Sequence, residues 1–179
     1  MDGVPVLNPT EGSLLGFLLD GPKTGWDLLQ EVSSALQRFW NVTPSHVYRE
    51  LKVLADRGLV VAGEPGPRDA RPFAVTAAGR DAFAHWLDQE PAHETMRFPL
   101  LVTLWFGRHL DPDRLAAFLR RHRHHHGRRL AAYRAIAEAA PADPYVDAVV
   151  GFGVAYEAAV VRWLDQVAKE RRAAGDAVQ

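Results

Sequence analysis

The chain has 179 residues, 47% of them hydrophobic, and a net charge of −1, which allows one compact domain or two small ones and gives no bulk basicity for nucleic acid. It contains no cysteine, which excludes a disulfide framework, thiol redox chemistry and Cys-ligated zinc. No continuous apolar run reaches the ~20 residues of a membrane span, and Met1-Asp2-Gly3-Val4-Pro5 has neither the basic nor the apolar part of an export signal, so a soluble cytoplasmic protein without a membrane partner is expected.

In chain order, helix signals come first. Thr10 is expected to N-cap a helix carrying Leu14, Leu15, Phe17 and Leu18, which Asp20-Gly21-Pro22 ends. Thr24 caps a second, with an apolar stripe at Leu28, Leu29, Val32, Leu36 and Phe39. Thr43 followed by Pro44 is a strong third start, because proline is preorganised for the first helical position and lacks a donor that nothing there needs. This helix runs to about Arg57, with Gly58 as its C-terminal stop. The period then changes. Leu59-Val60-Val61 reads as a short strand, residues 63–69 as a breaker-rich loop, and Phe73-Ala74-Val75 as the return strand. Thr76 caps a further helix bearing Phe83, Trp86 and Leu87, and Pro91 closes the segment. Phe98 to Phe106 is an apolar block. Asp111-Pro112 opens a long helix to roughly Ala139, and Asp143-Pro144 opens a last one to about Arg172.

On a helical wheel, Val47, Leu51, Leu54 and Gly58 fall together, with Tyr48 and Ala55 flanking. Ser45, Arg49, Lys52 and Asp56 lie opposite, with His46 to one side. Guanidinium, ammonium and hydroxyl groups suit phosphate oxygens and base edges, and the start of a recognition helix commonly faces bases. Thr43, Ser45, His46, Tyr48, Arg49 and Lys52 are therefore the candidate DNA contacts. A solvated surface helix shows the same pattern, so the order of elements decides. Helix, helix, capped helix, strand, glycine-rich loop and strand form a winged helix-turn-helix with a two-stranded wing. Arg68 and Arg71 near the wing tip are expected along the minor groove or its phosphates, blunted by Glu64 and Asp69.

The spacing has a family resemblance. Leu14-Leu15-Gly16-Phe17-Leu18-Leu19, Gly21-Pro22 and Gly25-Trp26-Asp27-Leu28 look like the opening of PadR-type transcriptional regulators. Thr43 to Lys52, with Leu54 and Gly58-Leu59-Val60, resembles the recognition helix of that family. Thr76-Ala77-Ala78-Gly79-Arg80 with Phe83 and Trp86-Leu87 is similar to its segment after the wing. Arg97-Phe98-Pro99, Leu104-Trp105-Phe106 and the helices after them resemble the C-terminal helical region of the longer subgroup. Two departures stand out: Arg71-Pro72-Phe73 replaces the usual basic-aromatic pair before the return strand, and Arg49 replaces a common proline. The resemblance implies a mainly α protein, with a DNA-binding domain over residues 1–90 and a helical dimerisation and effector-binding domain over 91–179. It also implies an aromatic effector and dimerisation through C-terminal helices.

Two stripes on the last helix support a dimer from the residues themselves. One is Tyr145, Val149, Phe152, Tyr156, Val160, Trp163 and Val167; the other is Val146, Val150, Val154, Val161 and Leu164. A helix apolar nearly all round is buried nearly all round, by a second subunit or by the N-terminal domain. A twofold homodimer would set two reading helices about 34 Å apart on a palindromic operator. Phe98, Trp105, Tyr145, Phe152, Tyr156 and Trp163 offer aromatic walls for a small apolar effector, or simply fill the core. His122 and His126, four apart on one face, could share a metal ion, but no third ligand is fixed by spacing and the surrounding arginines repel a cation. Packing or pH-responsive histidines, with no metal and no cofactor, are the expectation.

No G-x-S-x-G, P-loop or H-E-x-x-H motif is present, and Asp27, Asp69 and Asp147 fall on separate elements, so no enzyme is expected. A ligand-responsive repressor is the leading reading. Its rival is an interaction module that has kept the winged fold without binding DNA, favoured by the charge of residues 1–90, 8 Lys/Arg against 12 Asp/Glu, while residues 91–179 hold 13 against 10.

Overall fold

Capping residues and glycines set most element boundaries in the structure, a computed structural model. It describes residues 5–35, 40, 42–67, 70–93, 95–139 and 143–176, with backbone alone at 33–35 and 172–176. The chain divides into two compact units, Met1–Glu94 and Thr95–Gln179.

In the first unit, α1 (Pro9–Leu18) starts earlier than a cap at Thr10 would allow. Asn8 is the N-cap: its side chain accepts from the Thr10 and Glu11 amides, and Glu11 accepts from the Asn8 amide at 2.8 Å. This capping box satisfies two helix-end donors reciprocally, and Pro9 takes the first helical position, leaving Thr10 inside the helix. β1 (Lys23–Thr24) precedes α2 (Gly25–Ala35), where the Thr24 hydroxyl accepts from the Asp27 amide and Asp27 accepts back from Thr24. Leu28, Leu29 and Val32 of the expected stripe are buried; Leu36 and Phe39 lie outside the described residues. α3 (Pro44–Asp56) is capped by Thr43. Its end is a Schellman turn: Gly58 adopts φ +69°, its amide bonds to Ala55 O, and the Leu59 amide reaches back to Leu54 O. Only glycine adopts that φ without steric cost.

β2 (Val60–Ala62) and β3 (Pro72–Val75) form the wing hairpin, and α4 (Ala77–Leu87) follows. The sheet has three strands in the order β1-β3-β2, all antiparallel, with Lys23 opposite Phe73 and Val60 opposite Val75. The expected two-stranded wing is β2 with β3, and β1 extends it to a three-stranded sheet. A two-residue strand has no readable period, and only its pairing with β3 defines it. Thr76 caps α4 through the Gly79 amide at 3.0 Å. A Cβ on Gly79 would lie 2.1 Å from Leu59 O, so the start of α4 seats directly on the turn between α3 and β2. Trp86 lies over Gly12, where a Cβ would come within 2.7 Å of the indole. The core joins Leu14, Leu15, Leu18, Leu28, Leu51 and Leu54, all essentially inaccessible. Leu87 points outward at 62% exposure, one position past the apolar face that carries Phe83 and Trp86.

In the second unit, α5 (Pro99–Trp105) and a 3-10 turn (Gly107–His109) lead into α6 (Pro112–Ala139) and α7 (Pro144–Asp176). Arg123 pairs with Asp165 and His126 with Glu157, and Tyr133 lies against Gly153. Rising numbers on α6 meet falling numbers on α7, so the two helices are antiparallel. Leu100, Leu115, Leu119 and Leu164 form the buried centre. By length and composition alone, Pro144–Arg171 is apolar enough to cross a membrane, although no uninterrupted run reaches that length. Glu157 breaks the run but not the average, and its carboxylate is fully buried against α6.

Candidate nucleic-acid interface

α3 is held in place from beneath. Val47, Leu51 and Leu54 are fully buried, which turns Ser45, His46, Arg49 and Lys52 outward, all exposed. Thr43 sits at the cap with its side-chain oxygen 3.3 Å from the His46 amide. Tyr48 is half exposed, and its ring lies over Gly25, where a Cβ would come within 2.5 Å. Glycine at 25 lets the start of α2 approach this ring, so Tyr48 fixes the angle between the two helices as well as facing solvent. Trp26, beside it, is 61% exposed.

Sequence reasoning missed the polar clamp that anchors this helix. Glu50, only 7% exposed, accepts from Asn8 Nδ2 at 3.3 Å. It also accepts from Arg49 Nε at 2.9 Å and Nη2 at 2.7 Å. Towards the end of the helix, Arg57 pairs with buried Glu11 at 2.8 Å and donates to Val6 O. The Arg49 hydrogen bonds hold the Glu50 carboxyl below its ordinary pKa against the opposing effect of burial, and the Asn8 bond adds to the lowering. The Asn8-x-x-Glu11 pattern was the available signal for half of this clamp; for Glu50 the signal was its place three residues after Val47 and four before Leu54, on the inward side of the helix. Arg49 therefore lies along the helix with two of its five donors engaged by Glu50.

At the wing, the Gly66 amide bonds to Ala70 O and the Gly63 amide to Pro72 O, which closes the hairpin. Arg71 is exposed at its base; Arg68 and Asp69 lie outside the described residues. The site is thus one outward helix face with a wing beside it, and it presents donors rather than a cavity.

The aromatic candidates of the second unit separate into groups. The Phe98 and Trp163 rings are 6.1 Å apart, and Phe98 is also 6.1 Å from the His126 ring. Phe152 and Tyr156 stack at 6.2 Å along α7. Trp105 and Tyr145 stand 80% and 83% exposed. Two surface hollows on α6 include none of the six: one is lined by Ala117, Arg120, Arg121 and His124, the other by Phe118, Arg121, His122 and His125. His126 is buried with Nδ1 2.6 Å from Glu157 Oε2, and Arg129 Nε meets the other carboxylate oxygen. Its ring stacks on His122 at 6.4 Å. Burial first, and then the neighbouring His126, lower the pKa of both His122 and His125. Among the described residues no three His, Asp or Glu side chains converge on a possible ion.

Comparisons with known proteins address both units. Residues 14–85 match the model of the transcriptional regulator PadR-like family, and residues 96–171 match the virulence activator alpha C-terminal model. The negative transcriptional regulator PadR of Bacillus subtilis (strain 168) is 26% identical over 98 residues, covering 52% of this chain and 54% of that protein. The chain thus spans about half the length of the curated relative it matches. In fold, it is similar to the PadR-like regulator BC1756 of Bacillus cereus, with a TM-score of 0.80 at 18% identity over 92% of this chain and 98% of that one. Bacillus subtilis PadR in complex with operator DNA gives 0.78 at 19% identity over 93% and 99%, and the same protein in complex with p-coumaric acid gives 0.68 at 21% over 91% and 97%. The virulence activator AphA of Vibrio cholerae gives 0.73 at 25% identity over 92% and 98%.

Proposed function

We propose that the chain is a PadR-like transcriptional regulator that works as a dimeric, cytoplasmic repressor whose α3 helices read a palindromic operator. The observation that carries this reading is the division of α3, with Val47, Leu51 and Leu54 sealed inside and Ser45, His46, Arg49 and Lys52 presented together outside. Thr43, Tyr48, Arg71 and Arg68 complete the set of DNA contacts. The PadR structure with operator DNA, similar in fold, supports the same use of the first unit.

The second unit supplies the pairing. On α7, Tyr145, Val146, Val149 and Phe152 leave apolar surface in solvent, as do Leu101, Val102, Trp105 and Phe106 around α5. Exposed apolar surface of this kind marks an interaction site, and a twofold copy of the same surface covers it while doubling the reading helices. The effector is a small aromatic or apolar compound, held where Phe98, Trp163 and the other aromatic side chains meet the subunit contact. The relative crystallised with p-coumaric acid supports that ligand class. An effector that favours the form with wrongly spaced reading helices shifts the population off DNA.

The test is binding to a duplex from its own promoter as salt rises. Contact with some 6–10 phosphates predicts a loss of about 10³–10⁵ in affinity between 50 and 200 mM salt, and Arg49→Ala with Lys52→Ala abolishes preference for that duplex. A flat salt response would sink the reading. Failure to bind any duplex at low salt favours the interaction module, for which the acidic first unit and the Arg49–Glu50 pair speak. Sedimentation checks the dimer, which Phe152→Glu should dissociate.

A further inference from the structure

From Arg114 to Ala137, α6 holds seven arginines and no carboxylate. Among the described residues, α7 neutralises two of them, with Asp165 on Arg123 and Glu157 on Arg129. Arg114, Arg121 and Arg128 recur every seven residues, which sets them in one row with about 10.5 Å between successive Cα atoms. All three are exposed, with Arg120 and His124 beside them. The guanidinium groups of Arg114 and Arg121 lie 5.7 and 5.0 Å from the centre of the Phe118 ring. That cation–π contact braces both side chains against the helix and reduces the ordering cost of binding. Arg121 stands between the two hollows, each lined largely by cationic or imidazole groups.

The form of the row selects its partner. Guanidinium forks match phosphate oxygens, and an extended row with no enclosed pocket suits a repeating anion rather than one small molecule. The nearest acids along the chain are Asp111 and Asp113 before the row and Glu138 beyond it. Charge is also divided between the units: residues 1–94 carry 8 Lys/Arg against 13 Asp/Glu, and residues 95–179 carry 13 against 9. The unit with the reading helix is the acidic one, and most of the attraction for a phosphate backbone resides in the other.

We propose that the Arg114–Arg121–Arg128 row of α6 binds the phosphodiester backbone of duplex DNA, as a sequence-independent grip separate from the face of α3. This rests on the reading of the chain as a DNA-binding regulator. The test uses the full chain carrying Arg114→Gln, Arg121→Gln and Arg128→Gln together, with a thermal melt to verify folding. Binding is measured across salt to an own-promoter duplex and to a random-sequence duplex. Loss of three phosphate contacts per subunit lowers the slope of log affinity against log salt by about 2.7 for each subunit that engages the duplex, on both duplexes alike, and leaves their affinity ratio unchanged. The corresponding triple lysine variant keeps its charges and retains the slope. An unchanged slope in the glutamine variant, as expected if the row serves an acidic protein, overturns the proposal. So does an equal fall in the lysine variant, which would trace to packing on Phe118. The Arg49→Ala, Lys52→Ala variant separates the two readings: if it loses discrimination while the glutamine variant changes nothing, the grip alone falls. If wild type binds neither duplex, both fall.

Discussion

Residues 5–93 enclose their core, whereas residues 95–176 leave much of theirs open. The first unit gathers leucines and valines from α1, α2, α3 and the sheet around fully buried Leu14, Leu15 and Leu51. The second centres on Leu100, Leu115, Leu119 and Leu164, and leaves Trp105, Phe152 and Tyr145 in solvent. Their buried carboxylates differ as well. Glu11 and Glu50 tie α1 to α3 through Arg57 and Asn8, so the polar clamp braces a core that is already closed. Glu157, completely buried, meets His126 and Arg129 at the centre of a two-helix contact. A unit with little apolar closure depends more on one polar cluster, and that difference can be broken at chosen points.

The largest effect is expected from Glu157→Ala. Removing one partner of a buried ionic cluster costs about 3–5 kcal/mol, and chemical denaturation followed by near-UV signals should show the loss in the second unit alone. A comparable fall in the signal of Trp40 and Trp86 would contradict independent units. Gly79→Val attacks the first unit instead: a side chain pressed into Leu59 O costs about 1–3 kcal/mol or more, and should lower that unit's melting temperature while α6 and α7 stay folded. Thr43→Ala removes the cap of α3 at a cost of about 1 kcal/mol, and should weaken DNA binding beyond its effect on stability if that cap orients the reading face.

Acid separates the units by sequence of loss. His122 and His125 have lowered pKa values in the folded chain, so below the ordinary histidine value of 6.5 the unfolded chain binds more protons. Their contribution is complete above that pH and is lost as pH falls through the folded values. Glu50 is also lowered, but from a carboxylate value, so its contribution persists further into acid. Unfolding curves from neutral pH downward should therefore show the second unit weakening first; simultaneous loss would refute the contrast. The smallest effect is expected at Arg123–Asp165, a 2.6 Å pair whose side chains are both about half exposed. Asp165→Asn should change stability by about 0.2–1 kcal/mol, measurable by a double-mutant cycle with Arg123→Gln.

Local chemistry makes much of the fold legible. Thr43-Pro44, Gly58, Thr76, Asp111-Pro112 and Asp143-Pro144 are punctuation that acts within a few residues, and α3, α4, α6 and α7 begin or end beside them. The outward face of α3 is legible for the same reason, since a helical period sorts Val47, Leu51 and Leu54 from Ser45, Arg49 and Lys52 whatever lies beneath. Asn8 is easily passed over because Thr10 offers the same capping chemistry two residues later, and Pro9 decides between them.

Other features exist only between distant residues, and the tertiary structure alone decided them. β1 is a strand because Lys23 and Thr24 meet Phe73 and Pro72. Glu50 is buried because Asn8, forty-two positions away, lies within its reach; Glu157 is buried because α6 brings His126 and Arg129 to it. Gly79 and Gly25 are required by a backbone and a ring that arrive from other elements. The sequence by itself determined where helices start and which face of each is apolar, because those depend on neighbours along the chain. Which charges are sealed inside, and which apolar faces remain exposed, depends on how the helices pack, and no local pattern encodes that.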